Sequence, residues 1–167
     1  MVPSQIKRVK NFKDTKNSIF QKYNVEKQLD SMYLPSVKLK SGGYIVINQT
    51  EALVAIDVNS GRSTKERNIE ETALKTNLEA AEEVARQLKL RDLSGLIVID
   101  FIDMEGYKNQ HSVEKKLKDA MSSDRARIQI GRISHFGLLE LSRQRLRPSV
   151  SENYFSTCVS CGGMGVR

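Results

Sequence analysis

Tryptophan is absent from this 167-residue chain, and cysteine (two), proline (three) and aromatic residues (6%) are scarce. Two cysteines cannot staple a small secreted scaffold, so the fold must rest on an apolar core and the chain reads as cytoplasmic. Long hydrophobic runs are lacking too. Stretches such as Leu96 to Ile99 fall far short of the ~20 residues that span a bilayer. The basic N-terminus, MVPSQIKRVKNFK, has no apolar segment of the kind a secretory signal needs. With so few aromatics, candidates for stacking on nucleobases reduce to Phe101, Tyr107 and Phe136.

What is present suits one domain of ordinary size: 39% apolar and 28% charged residues, with no internal repeat and no low-complexity segment. The net charge of +7 suggests a polyanionic partner. Its distribution is uneven. Residues 1–40 carry nine basic and three acidic groups, residues 41–104 seven and eleven, and residues 105–167 eleven and six. An acidic middle between basic flanks can place a cation site beside a phosphate-binding surface; solvated helix faces would give the same count.

Residues 1–40 are weakly patterned and read as an arm or remnant, with a short helix between Ser18 and Tyr33 that Pro35 ends. From Ser41 the signals sharpen. Gly42-Gly43 makes a turn. Tyr44 to Ile47 and Ala52 to Val58 are strands joined by a hairpin connection at Asn48-Gln49-Thr50, and Asn59 to Asn68 is a polar loop. Asn68 then caps a helix to about Leu90, with Glu70 and Glu71 in its first turn. Gly95 precedes the apolar strand Leu96 to Ile99, and a second helix follows Tyr107 to about Ser123. Ala126 to Ile130 is another strand, and the leucines of Phe136 to Arg145 suggest a short helix that Pro148 ends. The order β-β-α-β-α-β-α predicts an α/β domain, a mixed sheet with packed helices, over residues 41–150, followed by a short tail at 151–167.

Two acids each follow a four-residue apolar run: Asp57 after Leu53 to Ile56, and Asp100 after Leu96 to Ile99. Ligands of α/β sheets bind outside the carboxyl ends of strands. A carboxylate there is costly to bury unless paired or coordinating a cation. If the two strands are neighbours, Asp57 and Asp100 can share one Mg²⁺ that keeps several waters. If the strand persists as far as Asn59, that residue falls on the same face as Asp57, where it can orient a water or a phosphate. The competing reading has these acids, and Asp103 with them, capping helices or pairing with Arg and Lys.

The tail holds Cys158-Val159-Ser160-Cys161 followed by Gly162, Gly163, Met164 and Gly165. Structural zinc wants four ligands, and this chain offers two thiols, so either His111 and His135, far off in sequence, fold close or a second chain supplies the other two ligands of a Cys₄ site. A redox dithiol or inert thiols are the alternatives. Basic residues cluster at Arg125, Arg127 and Arg132, at Arg143, Arg145 and Arg147, and at Arg62, Lys65 and Arg67. Arginine forks suit phosphate oxygens, and such contacts position a nucleic-acid backbone without reading its sequence. Ion pairs with surface acids are the alternative, notably for Arg67 and Arg147.

Four long, collinear stretches carry a family resemblance: GGYIVINQTEALVAIDVNSGRST, NIEETALKTNLEAAEEVARQLKLRDLSGLIVIDFIDM, DRARIQIGRISHFGLLELSRQRLRPS and CVSCGGMG. Together they resemble the catalytic core of the ribonuclease E/G family, over about Gln21 to Gly165. The resemblance implies a deoxyribonuclease I-like catalytic subdomain at about Ser41 to Val150. Asp57 and Asp100 would hold the catalytic Mg²⁺, and Asn59 would assist at the scissile phosphate. Cys158 and Cys161 would form a zinc link in which two protomers of a homodimer each give two cysteines to one Zn²⁺. The implied reaction is endonucleolytic hydrolysis of single-stranded RNA, leaving 5′-phosphate and 3′-hydroxyl ends. Lys65, Arg127, Arg143 and Arg145 are the expected RNA backbone contacts. Val159 stands where the family's zinc motif has proline. Most of the family's N-terminal half, with its oligonucleotide-binding fold and 5′-end sensor, has no counterpart here, so the chain is expected to be truncated at both ends. The rival expectation is a non-catalytic, zinc-linked assembly module that binds RNA weakly.

Overall fold

The computed structural model describes residues 7–14, 16–61, 69–150, 152, 156 and 158–161. The chain divides into two compact units, Met1–Leu34 and Pro35–Arg167. In the first, the helix expected between Ser18 and Tyr33 is two short helices, α1 (Ile19–Lys22) and α2 (Val25–Ser31). They are separated at Asn24, whose left-handed backbone (φ 54°) breaks the helical path. A capping box starts α1: the Ser18 hydroxyl accepts from the Gln21 amide, and the Gln21 side chain accepts from the Ser18 amide.

The second unit holds a six-stranded mixed sheet ordered β1-β2-β3-β4-β6-β5. Its strands are β1 (Ser36–Lys38), β2 (Tyr44–Gln49), β3 (Val54–Asn59), β4 (Gly95–Asp100), β5 (Ile128–Ile133) and β6 (Leu138–Arg143), with helices α3 (Ile69–Leu90) and α4 (Tyr107–Met121). An α/β architecture with a mixed sheet is thus observed. β3 and β4 are parallel, as a crossover through α3 requires, and the remaining pairs are antiparallel.

The alternation of the strands decides which face is covered. Ile45, Ile47, Val54, Ile56, Val58, Ile97, Ile99, Leu139 and Leu141 are buried beneath α3 and α4. Ala73, Ala80, Ala81 and Ala85 let α3 lie close, and Val84 and Leu88 fill the space between, while α4 contributes Val113, Leu117 and Met121. The intervening residues of each strand point to the opposite face, where Asp57, Asp100, Glu140 and Ser142 are exposed and Leu96 is 45% exposed.

The segment Phe136 to Arg145, expected as a helix, is mostly strand. Leu139 and Leu141 alternate with Leu138, Glu140 and Ser142, a period of two, and the strand is hydrogen-bonded on both sides, to β4 and to β5. The turn of the β5–β6 hairpin closes with the Ser134 amide donating to the Leu138 carbonyl, and Gly137 (φ +77°) takes the left-handed position. The strand expected at Ala126 to Ile130 lies two to three residues later, at β5. Its register slips between Ile130 and Ile133, and the buried Glu114 of α4 accepts the Ile133 amide at 2.9 Å there. The expected cap Asn68 lies outside the described residues.

Candidate active site

The β3–β4 register places Asp57 and Asp100 as direct partners at the carboxyl ends of adjacent parallel strands, both exposed on the face away from the helices. Asn59 lies on that face too, and its Nδ2 donates to Asp57 Oδ2 at 2.7 Å. The structure therefore brings Asp57, Asn59 and Asp100 together. Burial, then the negative charges of Asp57 and Asp103, push the Asp100 carboxyl above its ordinary range. Among the described residues, neither Asp57 nor Asp100 forms an ion pair with Lys, Arg or His.

The two adjacent carboxylates, which have no cationic partner among the described residues, are oxygen donors of the kind Mg²⁺ takes, although no group of three or more His, Cys, Asp and Glu side chains converges among those residues. An ion held here would keep open positions for water and a phosphate oxygen.

Glycines and a helix set this constellation. A Cβ at Gly43 would stand 2.6 Å from the Asn59 carbonyl oxygen, and one at Gly61 (φ +59°) would stand 2.5 Å from the Gly42 carbonyl oxygen. The turn before β2 and the exit of β3 thus interlock, backbone against backbone, next to Asn59. The loop after β4 is clamped from α3. Asn77, fully buried, donates from Nδ2 to the Ile102 carbonyl at 2.8 Å and accepts the Ile102 amide at 3.0 Å. About two helical turns earlier, Glu70 accepts from the amides of Glu105 and Gly106 and from Asn109 Nδ2. The Asn109 bond, then the two amides, hold its carboxyl below the usual range. Asn77 escaped the sequence reading because a polar residue inside a helix looks like part of its wet face.

The expected RNA contacts fare differently. Pairing of β4 with β6 sets Asp100 against Leu138 and Gly95 against Arg143, so Arg143 lies at the other end of the sheet, about 17 Å along the strand. Arg127, exposed, precedes β5 at that same end. Arg143 is not a surface residue. Its side chain is 3% exposed, with Nε 2.8 Å from Asp124 Oδ2, Nη2 3.2 Å from Asp124 Oδ1, and Nη1 2.8 Å from the Leu93 carbonyl. Those bonds leave it no surface for a phosphate. Arg145 pairs with Glu152, and Arg147 with Asp92 at 3.4 Å. Lys65, with Arg62 and Arg67, lies outside the described residues. Among the stacking candidates, Phe101 is 2% exposed and unavailable, whereas Tyr107 and Phe136 are exposed.

Cys158 is exposed and Cys161 partly so, and neither forms a disulfide among the described residues. The backbone amide of Cys161, then that of Ser160, donate to the Cys158 sulfur and pull its thiol below the ordinary value. Such a turn favours the thiolate that a zinc ion needs, and each chain supplies two cysteines in all.

Comparison with known proteins gives the family. The pattern of the ribonuclease E/G family matches residues 1–146. Ribonuclease E of Haemophilus influenzae is 56% identical over 163 residues, covering 98% of this chain and 17% of that protein. Ribonuclease E of Escherichia coli is 58% identical over 147 residues (88% of this chain, 14% of that protein), and ribonuclease G of Salmonella typhimurium 42% identical over 147 residues (88% and 30%). The chain belongs to the ribonuclease E/G family. It spans less than a third of the length of each of these relatives.

Proposed function

We propose that this chain carries the catalytic centre of a Mg²⁺-dependent endoribonuclease acting on single-stranded RNA. The observation that carries the reading is the register pairing of Asp57 with Asp100, with Asn59 bonded to Asp57 beside them. Asp57 and Asp100 would hold the ion. Bound there, Mg²⁺ supplies charge neutralisation at a phosphate and lowers the pKa of a water to give a nucleophile. Asn59 fixes the Asp57 carboxylate through one N–H and keeps a second N–H and its carbonyl for a water or the scissile phosphate. The Asn77 and Glu70 clamps hold the loop beyond Asp100, so the two carboxylates meet the substrate preorganised. Hydrolysis would leave 5′-phosphate and 3′-hydroxyl ends.

Cys158 and Cys161 are read as half of a Zn²⁺ site completed by a second copy, which makes the working form a homodimer. Cysteines outside any disulfide among the described residues suit a reducing cytoplasm. Among the described residues no helix is long and apolar enough to cross a membrane.

The test is cleavage of an end-labelled single-stranded RNA, with product ends identified. Mg²⁺-dependent cuts bearing 5′-phosphates, reduced at least about 100-fold in Asp57→Asn and in Asp100→Asn, support the reading. RNA that is bound yet uncut at high protein and Mg²⁺ would leave the zinc-linked, non-catalytic module as the function of this chain.

A further inference from the structure

The cross-sheet register defines rows on the face that bears the acid pair. One row runs Ser36, Val46, Asp57, Asp100, Leu138. The adjacent row, toward the end where the acids sit, runs Lys38, Tyr44, Asn59. Tyr44 is thus the direct cross-strand partner of Asn59, and Lys38 is the partner of Tyr44 on the edge strand. Direct partners on one face have Cβ atoms about 5 Å apart. Tyr44 is 36% exposed, and neither its hydroxyl nor the Lys38 ammonium has a hydrogen-bond or ion-pair partner among the described residues.

An amide, an aromatic ring and a cation in line, beginning beside the carboxylates, match what a single nucleic-acid strand presents: a reacting phosphate, then a base face, then another phosphate. We propose that Tyr44 is a base-stacking residue of the substrate site and that Lys38 contacts the phosphate beyond it, so that RNA crosses the sheet from Asn59 toward the β1 edge. The inference rests on the reading of Asp57, Asn59 and Asp100 as the cleavage centre. It assigns the substrate's path, which the expected contacts Arg127, Arg143 and Arg145 at the far end of the sheet do not. Stacking tolerates any base, so Tyr44 would add affinity with little sequence preference. The row itself holds no aliphatic side chain, which favours RNA over an apolar protein partner.

The chain has no tryptophan, so Tyr44→Trp installs a single fluorescent reporter. In the Asp57→Asn background, which keeps RNA intact, saturable quenching by a short oligouridylate is expected. A full-length Tyr44→Ala chain should show a roughly ten-fold or greater rise in KM with kcat changed less than about two-fold, and Tyr44→Phe should restore KM. An RNA with an abasic nucleotide beside the cut should remove the difference between Tyr44→Ala and the parent. Lys38→Ala should lower the salt dependence of RNA affinity by about 0.7 in slope. Unquenched emission from the Tyr44→Trp reporter at saturating RNA, or an unchanged KM in Tyr44→Ala, overturns the proposal. Emission that changes with protein concentration alone would also overturn it, by showing that a second copy covers this face. Because quenching is read without cleavage, failure of the catalytic reading shows separately, as full activity in Asp57→Asn.

Discussion

Asp57 and Asp100 stand in register as the last paired residues of two adjacent parallel strands, with Asn59 donating to Asp57 at 2.7 Å. Two carboxylates so placed repel each other unless a cation or a proton intervenes.

That repulsion has a stability consequence. The Asp100 carboxyl sits above its ordinary value because of burial and the charges of Asp57 and Asp103. The folded state then holds the proton to a higher pH than the unfolded chain does. The associated stability is present below the unfolded value of about 3.9 and is lost as pH rises through the folded one, so the penalty persists at neutral pH. Asp100→Asn should therefore melt above the parent at pH 7 in chelator, as read by thermal denaturation. Added Mg²⁺ should raise the parent's melting temperature and leave the variant's nearly unchanged.

The buried pair Asp124–Arg143 gives the opposite pH dependence. Burial alone would push the Asp124 carboxyl up, but the bonds from Arg143 and the Ala126 amide outweigh it and hold the group below its ordinary value. Its contribution is present above the unfolded value and is lost as pH falls through the folded one, below about pH 4. Asp124→Asn leaves the Arg143 charge buried without its counter-ion and should cost about 3 kcal/mol, measured by urea denaturation at pH 7, with the gap to the parent closing in acid.

Asn77 satisfies both polar groups of the Ile102 peptide. Asn77→Leu would leave the Ile102 amide and carbonyl unpaired and should cost roughly 2–4 kcal/mol in the same assay. Asn77→Asp sets a buried carboxylate oxygen against the Ile102 carbonyl and should cost at least as much at pH 7. Both variants should also lose RNA cleavage beyond what their folded fraction explains, because the loop they loosen begins one residue past Asp100.

Gly43 should tolerate no side chain without moving Asn59. A methyl group there would lie 2.6 Å from the Asn59 carbonyl oxygen. Gly43→Ala should reduce cleavage more than it reduces melting temperature, whereas Gly42→Ala, with open space but a left-handed backbone (φ +94°), should act mainly on stability.

Much of this fold and site is legible in the sequence. The apolar runs before Asp57 and Asp100 announce strands, and their alternation puts Asn59 with Asp57. The first-turn acids and periodicity of α3 and the periodicity of α4 announce helices. What stayed hidden depended on pairing. Leu138, Leu139 and Leu141 suggest a helix until partners on both sides impose a period of two. Arg143, Arg145 and Arg147 look like one basic patch, yet alternation turns Arg143, the last residue of β6, inward to Asp124, while Arg145 and Arg147 lie beyond the strand and stay at the surface. Tyr44 reads as the first residue of a core strand, and only register places it beside Asn59. Asp57 opposite Asp100 was an expectation conditional on strand neighbourhood, and the parallel pairing of β3 with β4 supplies that condition.

The central claim is that Asp57 and Asp100 hold the ion that makes this chain cut RNA. Its most direct test is the cleavage rate of one labelled single-stranded RNA as a function of Mg²⁺ concentration, for the parent, Asp57→Asn and Asp100→Asn. The account predicts a saturable Mg²⁺ dependence in the parent and, in both variants, rates at least about 100-fold lower at every concentration. Equal rates in parent and variants, or cleavage that persists undiminished in chelator, would contradict it.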